Sequence, residues 1–413
     1  MSETEITLYG AYWCPDCHRS KQFLGEHQIP YHWVDIEADP EGERFVIAAN
    51  QGKRRIPTLV FADGSVLSNP SNAELAAKLG LKTSAERRHY DLIIIGGGPA
   101  GLTAALYTAR EGIDTLVIER AAFGGQASGT LQLDNVPGFP EGISGAELSG
   151  RFRKQADRFG VELLQAQEVV GFCTRDNYHC VETGDGSQYS ARAVLLATGS
   201  RYRRLNVPGE EDYLGAGVHF CATCDGPFYK GRPVAVVGGG NSAAEESLLL
   251  IRYVERVTLL VRGGALKASQ VIREKVFDHP QIDVRLHTEV ERFEGEQSKL
   301  ASIRVRNLET GASEALRLPA AFIFIGLDPN TAFLRNNGVR LDQRGFVVTG
   351  HALVHGGERP PGFGSADPAI LGTSVPGVFA AGDLRTDSTK QVASAAGEGA
   401  AAALMIRDYL KSV

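Results

Sequence analysis

No stretch of the 413-residue chain approaches the roughly 18 consecutive apolar residues of a membrane span, so no transmembrane helix is predicted. The opening "MSETEITLYG" lacks the basic start and apolar run of a secretory leader, and a cytoplasmic protein is expected. Positive charge is not in excess. Its 43 Lys and Arg face 49 Asp and Glu, a net charge of -6. That balance disfavours a large nucleic-acid surface, because phosphate binding needs a positive field. Cysteine is scarce: six residues do not make a disulfide framework in a chain this long. Without a leader, paired cysteines read as redox-catalytic or metal-binding. Glycine, by contrast, is plentiful at 48 residues, and 43% hydrophobic with 22% charged residues marks a soluble chain of several domains.

Four of the six cysteines form two C-x-x-C pairs, in "AYWCPDCHRS" (11–20) and "HFCATCDGP" (219–227). Each pair is a dithiol or half of a zinc site. His18 and His219 flank the pairs and could complete a shared site. Each pair, however, lies in a segment that reads as a complete domain, so no metal is expected.

Residues 5–80 read as βαβαββα: "EITLY", a helix from Cys17 to about Gln28, "YHWVDIE", "EGERFVIAANQ", the hairpin "RIPTLVFADGSVLS" turning at Asp63-Gly64, and "NAELAAKLG". That order suits a small α/β domain. "LKTSAERRH" (81–89) is polar and reads as a flexible linker, spanning about 16 Å. Cys14 caps the first helix, whose N-terminus favours a thiolate, and Cys17 one turn on would resolve a mixed disulfide. His18, Arg19 and Lys21 add positive charge there. Ile56-Pro57-Thr58 precedes an apolar strand, where a cis proline would hold backbone against the disulfide.

A second pattern starts at Tyr90. "YDLIIIGGGPAGLTAALYTARE" is a buried strand, a glycine turn and a helix, and "DTLVIER" is the returning parallel strand. Gly96, Gly98, Pro99, Ala100 and Gly101 carry the G-x-G-x-x-G turn that lets backbone N–H groups approach a pyrophosphate. Glu119, 23 residues after Gly96, is placed for a ribose 2′-hydroxyl. The unit recurs in "RPVAVVGGGNSAAEESLLLIRY" and "RVTLLVR", with Gly238, Gly240, Asn241, Ser242 and Ala243 in the turn. There, 23 residues after Gly238, stands Val261, followed by Arg262. A cation without the carboxylate accepts a 2′-phosphate. The first site is expected to take FAD and the second NADPH, with NADH as the alternative. Two such sites imply hydride transfer from nicotinamide to flavin. Between the two units, a turn at Asp176-Asn177 would set Cys173 opposite Cys180, either as thiols or as a disulfide.

On "WCPDC", "VDIEADPEGERFV", "IPTLVFADG" and "SNPSNAEL", residues 5–80 resemble glutaredoxins, and among them the mycoredoxin-type subgroup. The resemblance implies a thioredoxin-like fold (1–80), catalytic Cys14 and Cys17, and a substrate site at Trp13, Pro15, Ile56 and Pro57. Where typical glutaredoxins carry the glutathione-binding G-G-x-D turn, this chain reads "LSNPSN", and the low-molecular-weight thiol stays open.

Residues 88–413 resemble bacterial low-molecular-weight thioredoxin reductases. The motifs "IIGGGPAGLTAALYTAR", "GGQ", "NVPGFPEGISG", "LLATGSRYRRLNVPGE", "CATCDGPFYKG", "VVGGGNSAAEE", "FIFIGLDPNT" and "TSVPGVFAAGD" fall in family order. This implies two Rossmann-like domains, FAD-binding (90–203 and 331–413) and NADPH-binding (204–330), and a homodimer. It also implies that Cys221–Cys224 is the disulfide reduced by flavin, with Cys224 nearer the ring and Asp225 the acid for a departing thiolate. FAD would further be held by Gly125, Gln126, Asn135, Thr198, Gly199, Gly382, Asp383, Gln391 and Val392. NADPH would be held by Glu246, Arg262, Lys267, Ile325 and Gly326, although the family's H-R-R-x-x-x-R here keeps only Arg262 and a lysine, Lys267.

The expected activity is a self-contained disulfide reductase of thioredoxin reductase type. Electrons would pass from NADPH through FAD and Cys221–Cys224 to Cys14–Cys17, then to an external disulfide. That acceptor could be a thioredoxin, a peroxiredoxin, ribonucleotide reductase or a low-molecular-weight disulfide. Two alternatives stand beside it: a reductase whose N-terminal domain only docks, and a slow flavin-bound redox sensor.

Overall fold

Alternation in "ITLYG" buries Ile6 and Leu8 on one face of strand β1 (Ile6–Gly10). The computed structural model describes residues 6–11, 13–26, 29–81, 84–130, 132–175, 178–296, 299–354 and 357–413. Helix α1 (Pro15–Glu26) opens on a proline directly after Cys14, two residues earlier than the sequence suggests, because proline suits a first helical turn. Then follow β2 (Tyr31–Asp35), α2 (Pro40–Ala49), β3 (Thr58–Val60), β4 (Val66–Ser68) and α3 (Asn72–Lys78). The sheet order is β2-β1-β3-β4, with β1 parallel to β2 and antiparallel to β3. Asp39 caps α2, and Ser71 with Glu74 forms a reciprocal capping box on α3.

The linker is less loose than its composition suggests. The Ala85 N–H donates to the Tyr189 hydroxyl at 3.3 Å, the Glu86 N–H to Glu162 at 2.7 Å, and Arg87 pairs with Asp114 at 2.7 Å. Two backbone N–H groups and one arginine thus anchor residues 85–87 on the following domain.

The apolar run "LIII" becomes β5 (His89–Ile95), followed by α4 (Pro99–Arg110), β6 (Thr115–Ile118), α5 (Gly145–Asp157), β7 (Glu162–Leu164), β8 (Val169–Arg175), β9 (Tyr178–Thr183) and β10 (Gln188–Leu196). The second repeat contributes β11 (Ser200–Tyr202), β12 (Val218–His219), α6 (Ala222–Asp225), β13 (Pro233–Val237), α7 (Asn241–Leu250), β14 (Arg256–Leu260), α8 (Gln270–Phe277) and β15 (Ile282–Arg285). After a three-stranded antiparallel layer, β16 (Thr288–Glu296), β17 (Lys299–Asn307) and β18 (Ser313–Leu316), come β19 (Ala321–Ile323) and β20 (Leu327–Pro329). The chain ends with β21 (Val378–Ala380) and α9 (Val392–Ser412).

Each dinucleotide repeat builds its own sheet, mixed in the first, where β9 runs antiparallel to β10 and β8, and all parallel in the second. The first runs β7-β6-β5-β10-β9-β8, with β21 parallel to β10; the second runs β12-β19-β13-β14-β15. Contacts divide the chain into two units: Met1–Gly129 with Ile143–Gly199 and Pro329–Val413, and Thr130–Gly142 with Ser200–Asp328. Asn135 thus lies on a segment that groups with the second unit. Strands buried on both faces explain the unbroken apolar runs Ile93-Ile94-Ile95 and Val234-Ala235-Val236. Among the described residues, no helix is long and apolar enough to cross a membrane.

Candidate functional site: two dithiols and two dinucleotide cradles

In the first unit Cys14 and Cys17 are both buried, at 4% and 1% exposure, while Trp13 beside them is 65% exposed. The Cys17 N–H points at the Cys14 sulfur, 3.1 Å away. Burial, with the Cys14 thiol beside it, pushes the Cys17 thiol up to about 12. Cys17 is therefore held protonated near neutrality. The Ile56–Pro57 bond is cis, and Pro57 is buried. Asp176-Asn177, the turn expected further along, lies outside the described residues.

Gly10 and Trp33, neighbours of this dithiol, carried no sequence signal. A side chain at Gly10 would place its Cβ 2.6 Å from the Cys17 sulfur and 2.8 Å from the Trp33 ring, so only glycine lets β1 pass there. The Lys21 ammonium sits 3.3 Å from the centre of the Trp33 ring, and burial lowers its affinity for the proton. Arg19 pairs with Asp16 at 2.5 Å and donates to the Pro70 carbonyl at 2.9 Å, fixing the "LSNPSN" turn against α1.

The first dinucleotide turn has the form of a pyrophosphate cradle. A Cβ at Gly101 would lie 1.9 Å from the Gly96 carbonyl oxygen, and Gly96 itself has φ +107° with the Ala197 carbonyl 2.3 Å from any Cβ. Gly98 caps α4 without a side-chain hydrogen bond, leaving the helix N-terminus to a ligand. Glu119 is buried and accepts from the Gly97 N–H at 2.7 Å and the Ala121 N–H at 3.0 Å. The carboxylate thus stands beside the turn, as a ribose contact requires. Gly125 and Gln126 open a short 3-10 helix, Gly125–Gly129. Thr198 and Gly199 are joined to Asn330 by three hydrogen bonds, the Thr198 hydroxyl to the Asn330 carbonyl at 2.8 Å, the Asn330 amide to the Thr198 carbonyl at 2.8 Å and the Asn330 N–H to the Gly199 carbonyl at 3.0 Å.

At the far end of the same unit, burial pushes the Asp383 carboxyl up, opposed by Lys390. The Lys390 ammonium donates to the Asp383 carbonyl at 2.7 Å, and Arg385 pairs with Glu398 at 3.0 Å. Glu398 in turn accepts the Gly382 N–H at 2.6 Å. Gln391 caps α9, and Val392 is its first residue. Arg385, Lys390 and Glu398 are residues that motif reading missed, since only folding brings them to Asp383.

The second cradle repeats the first. Gly238 has φ +152°, and its Cβ would meet the Phe324 carbonyl at 2.3 Å; Gly240 caps α7 without a side-chain bond. Asn241 accepts the Ser269 N–H at 2.8 Å, Ser242 is exposed and Ala243 is buried. Where the first unit has Glu119, Val261 is buried, its Cγ1 3.0 Å from the Cβ position of Gly239. Arg262 is exposed beside it, and the Lys267 N–H donates to the Gly239 carbonyl at 2.7 Å. One Glu246 carboxylate oxygen is buried with no partner among the described residues, and burial, with Glu245 nearby, pushes its carboxyl up. Ile325 and Gly326 lie just after β19, and Gly326 takes φ +115°. Two uncapped helix N-termini, two cradles that a Cβ would fill and an orphaned buried oxygen fit two dinucleotides.

Cys221 and Cys224 form a disulfide across the start of α6, and the Cys224 N–H points at the Cys221 sulfur, 3.1 Å away. His219, delivered by β12, is buried against Phe322 with ring centres 5.3 Å apart. Its Nδ1 is 3.4 Å from Asp225 and its Nε2 is 2.7 Å from the Tyr229 hydroxyl. With the proton on Nδ1, the ring donates toward Asp225 and accepts from Tyr229. His219 entered the sequence reading only as a flanking zinc ligand; the structure makes it the residue that positions Asp225. Among the described residues no group of three or more His, Cys, Asp or Glu side chains could hold a metal ion. His219→Phe, which keeps the packing on Phe322, is expected to lower turnover roughly tenfold, a fraction of what a general acid itself contributes. The pH–rate profile should shift with it; an unchanged profile at unchanged turnover would leave His219 with a packing role alone.

Residues 90–399 match the pyridine nucleotide-disulphide oxidoreductase family and residues 6–67 match glutaredoxin. The chain belongs to the pyridine nucleotide-disulphide oxidoreductases, with a glutaredoxin domain ahead of the family fold. It is 40% identical to the thioredoxin reductase of Treponema pallidum over 324 residues, covering 78% of this chain and 98% of that protein. It is 39% identical to the bifunctional thioredoxin reductase/thioredoxin of Mycobacterium leprae over 327 residues, 79% of this chain and 67% of that one. The crystal structure of thioredoxin reductase from Streptococcus pyogenes superposes with a TM-score of 0.71 at 34% identity, covering 79% of this chain and 99% of that one. Within its family the protein is thus a disulfide oxidoreductase of the thioredoxin reductase type, whose cofactors are FAD and NADPH.

Proposed function

We propose that this chain is a two-stage disulfide reductase in which the reductase dithiol, Cys221 and Cys224, serves Cys14–Cys17 of its own glutaredoxin domain. Bound NADPH and FAD supply the two electrons that open the Cys221–Cys224 disulfide. Cys221 then attacks Cys14, forming a mixed disulfide while Cys17 leaves and takes up a proton. Cys224 attacks Cys221, closing the reductase disulfide and releasing Cys14. One dithiol and one disulfide go in, and one of each comes out. Cys14 next attacks the external disulfide, and Cys17 resolves that mixed disulfide. Asp225, oriented by His219, is the proton donor for the departing thiolate on the reductase side.

The observation that carries this reading is the matched geometry of the two pairs. In each, the N–H of the second cysteine points at the first sulfur, 3.1 Å away, at the start of a helix. The proposal makes the protein a cytoplasmic homodimer, as its resemblance to the low-molecular-weight reductases implies, and it takes NADPH over NADH from Val261 and Arg262.

One anaerobic experiment tests the relay. The fully oxidised chain is given NADPH in steps up to three equivalents, one for the flavin and one for each disulfide, quenched with an alkylating reagent and weighed peptide by peptide. Three equivalents should label Cys14 and Cys17 as well as Cys221 and Cys224. Label confined to the Cys221–Cys224 peptide would mean that the N-terminal domain only docks.

A further inference from the structure

Two cysteines stand outside the relay, and they face each other. Cys173 on β8 is directly opposite Cys180 on β9, Cys180 is opposite Ser190 on β10, and Ser190 is opposite His89 on β5. Directly opposed residues share one face of a sheet, so a thiol, a thiol, a hydroxyl and an imidazole form a single row across four strands. His89 Nδ1 is 3.1 Å from the Ser190 oxygen. Arg175 and Tyr178, opposed to each other two positions along, lie on the same face. With His89 and Ser190 they line a shallow depression of about 400 Å³.

The other face of these strands holds Phe172, Val181 and Ala191 in the core. The two thiols therefore sit on the side that no core covers, each half-buried and not disulfide-bonded. An unbridged cysteine ordinarily sits in the interior. Opposed residues in an antiparallel pair have Cα atoms about 4.5–5.5 Å apart, inside the roughly 4.4–6.8 Å that a disulfide accepts. The pair needs no backbone movement to close.

We propose that Cys173 and Cys180 are a dithiol modification site that hydrogen peroxide oxidises to a cross-strand disulfide, separately from the flavin-driven relay. One thiolate attacks a peroxide oxygen, the O–O bond breaks, and the departing hydroxide takes a proton to become water. The facing thiol attacks the resulting sulfenic sulfur, the S–O bond breaks, and a second water leaves. In total two thiols and one peroxide become one disulfide and two waters. Burial and the neighbouring Cys173 push the Cys180 thiol up, so Cys173 attacks first and Cys180 resolves. Arg175 and Ser190, beside the pair, are donors for the departing oxygen.

The test uses the full chain, reduced, desalted without oxygen and exposed to stepped hydrogen peroxide. It is then blocked with N-ethylmaleimide, digested with trypsin and weighed. Cleavage after Arg175 places Cys173 and Cys180 in different peptides, so the bridge joins two peptides that are otherwise separate. The expected result is loss of both labels together and appearance of the joined pair, in the wild type and equally in a Cys14→Ser/Cys17→Ser chain. In Cys180→Ser, a dimedone adduct should accumulate on Cys173 at least tenfold above wild type. Retention of both labels at peroxide levels that close Cys14–Cys17 would overturn the proposal. So would loss of one label alone, or a bridge that forms only when Cys14 and Cys17 are present.

Discussion

A Cys14→Ser chain is expected to lose NADPH-driven reduction of an external disulfide by on the order of 10³-fold or more, the scale on which removal of a catalytic nucleophile acts. The hydroxyl cannot form the mixed disulfide. Cys17 cannot replace it, because it is almost wholly buried and its thiol is pushed up to about 12. Reduction of Cys221–Cys224 by NADPH should persist in the same variant, read by alkylation of those two residues. Cys17→Ser is the informative partner: it keeps the nucleophile and loses only the resolving thiol. It should retain turnover on mixed disulfides of small thiols while losing it on protein disulfides. Undiminished activity of Cys14→Ser on the protein's own disulfide substrate would sink the relay and leave the first domain a docking module.

Gly101→Val should purify with at most about a tenth of the wild-type flavin per chain. The Cβ would start 1.9 Å from the Gly96 carbonyl oxygen, and the obstacle is backbone that cannot swing aside. Overpacking of this kind costs about 1–3 kcal/mol or more, and here the strain falls on the turn that meets the pyrophosphate. The absorbance of bound flavin relative to protein reads the effect directly. Gly238→Ala makes the comparison in the second cradle, where a Cβ meets the Phe324 carbonyl at 2.3 Å. That chain should keep its flavin and bind NADPH weakly. Gly112→Ala, where a Cβ meets nothing within 4 Å but φ is +75°, controls for backbone strain without the clash. Full flavin content in Gly101→Val would remove the first cradle from the FAD site.

Much of the fold was legible because it depends on local rules. The strand–turn–helix repeats announce themselves through β-rich apolar runs followed by glycines, and both cradles formed where the glycines fall. The contrast between Glu119 and Val261 is likewise a matter of counting along the chain. Residues whose meaning comes from packing were not legible. Gly10 is one glycine among 48 until β1 passes the Cys17 sulfur. His219 adjoins the cysteine pair in sequence, which suggested a metal ligand, but its two ring nitrogens turn to Asp225 and Tyr229 once Phe322 fixes the ring plane. Arg385, Lys390 and Glu398 have no spacing that motif reading could use. The linker belongs with these, since polar composition describes equally a loose chain and one tied down, as here through the Ala85 and Glu86 N–H groups and the Arg87 side chain.

That engaged linker gives the fusion a seam. A chain started at residue 84 would still carry the Ala85, Glu86 and Arg87 bonds to Tyr189, Glu162 and Asp114 that tie the linker to the sheet edge. The glutaredoxin domain ends its last helix at Lys78 and keeps its own capped elements. The two halves, made apart and mixed, would give up the packing of Ala166 on the first domain's core. The concentration of added glutaredoxin domain that restores the rate of the intact chain is then the effective molarity conferred by the short stretch before Ala85.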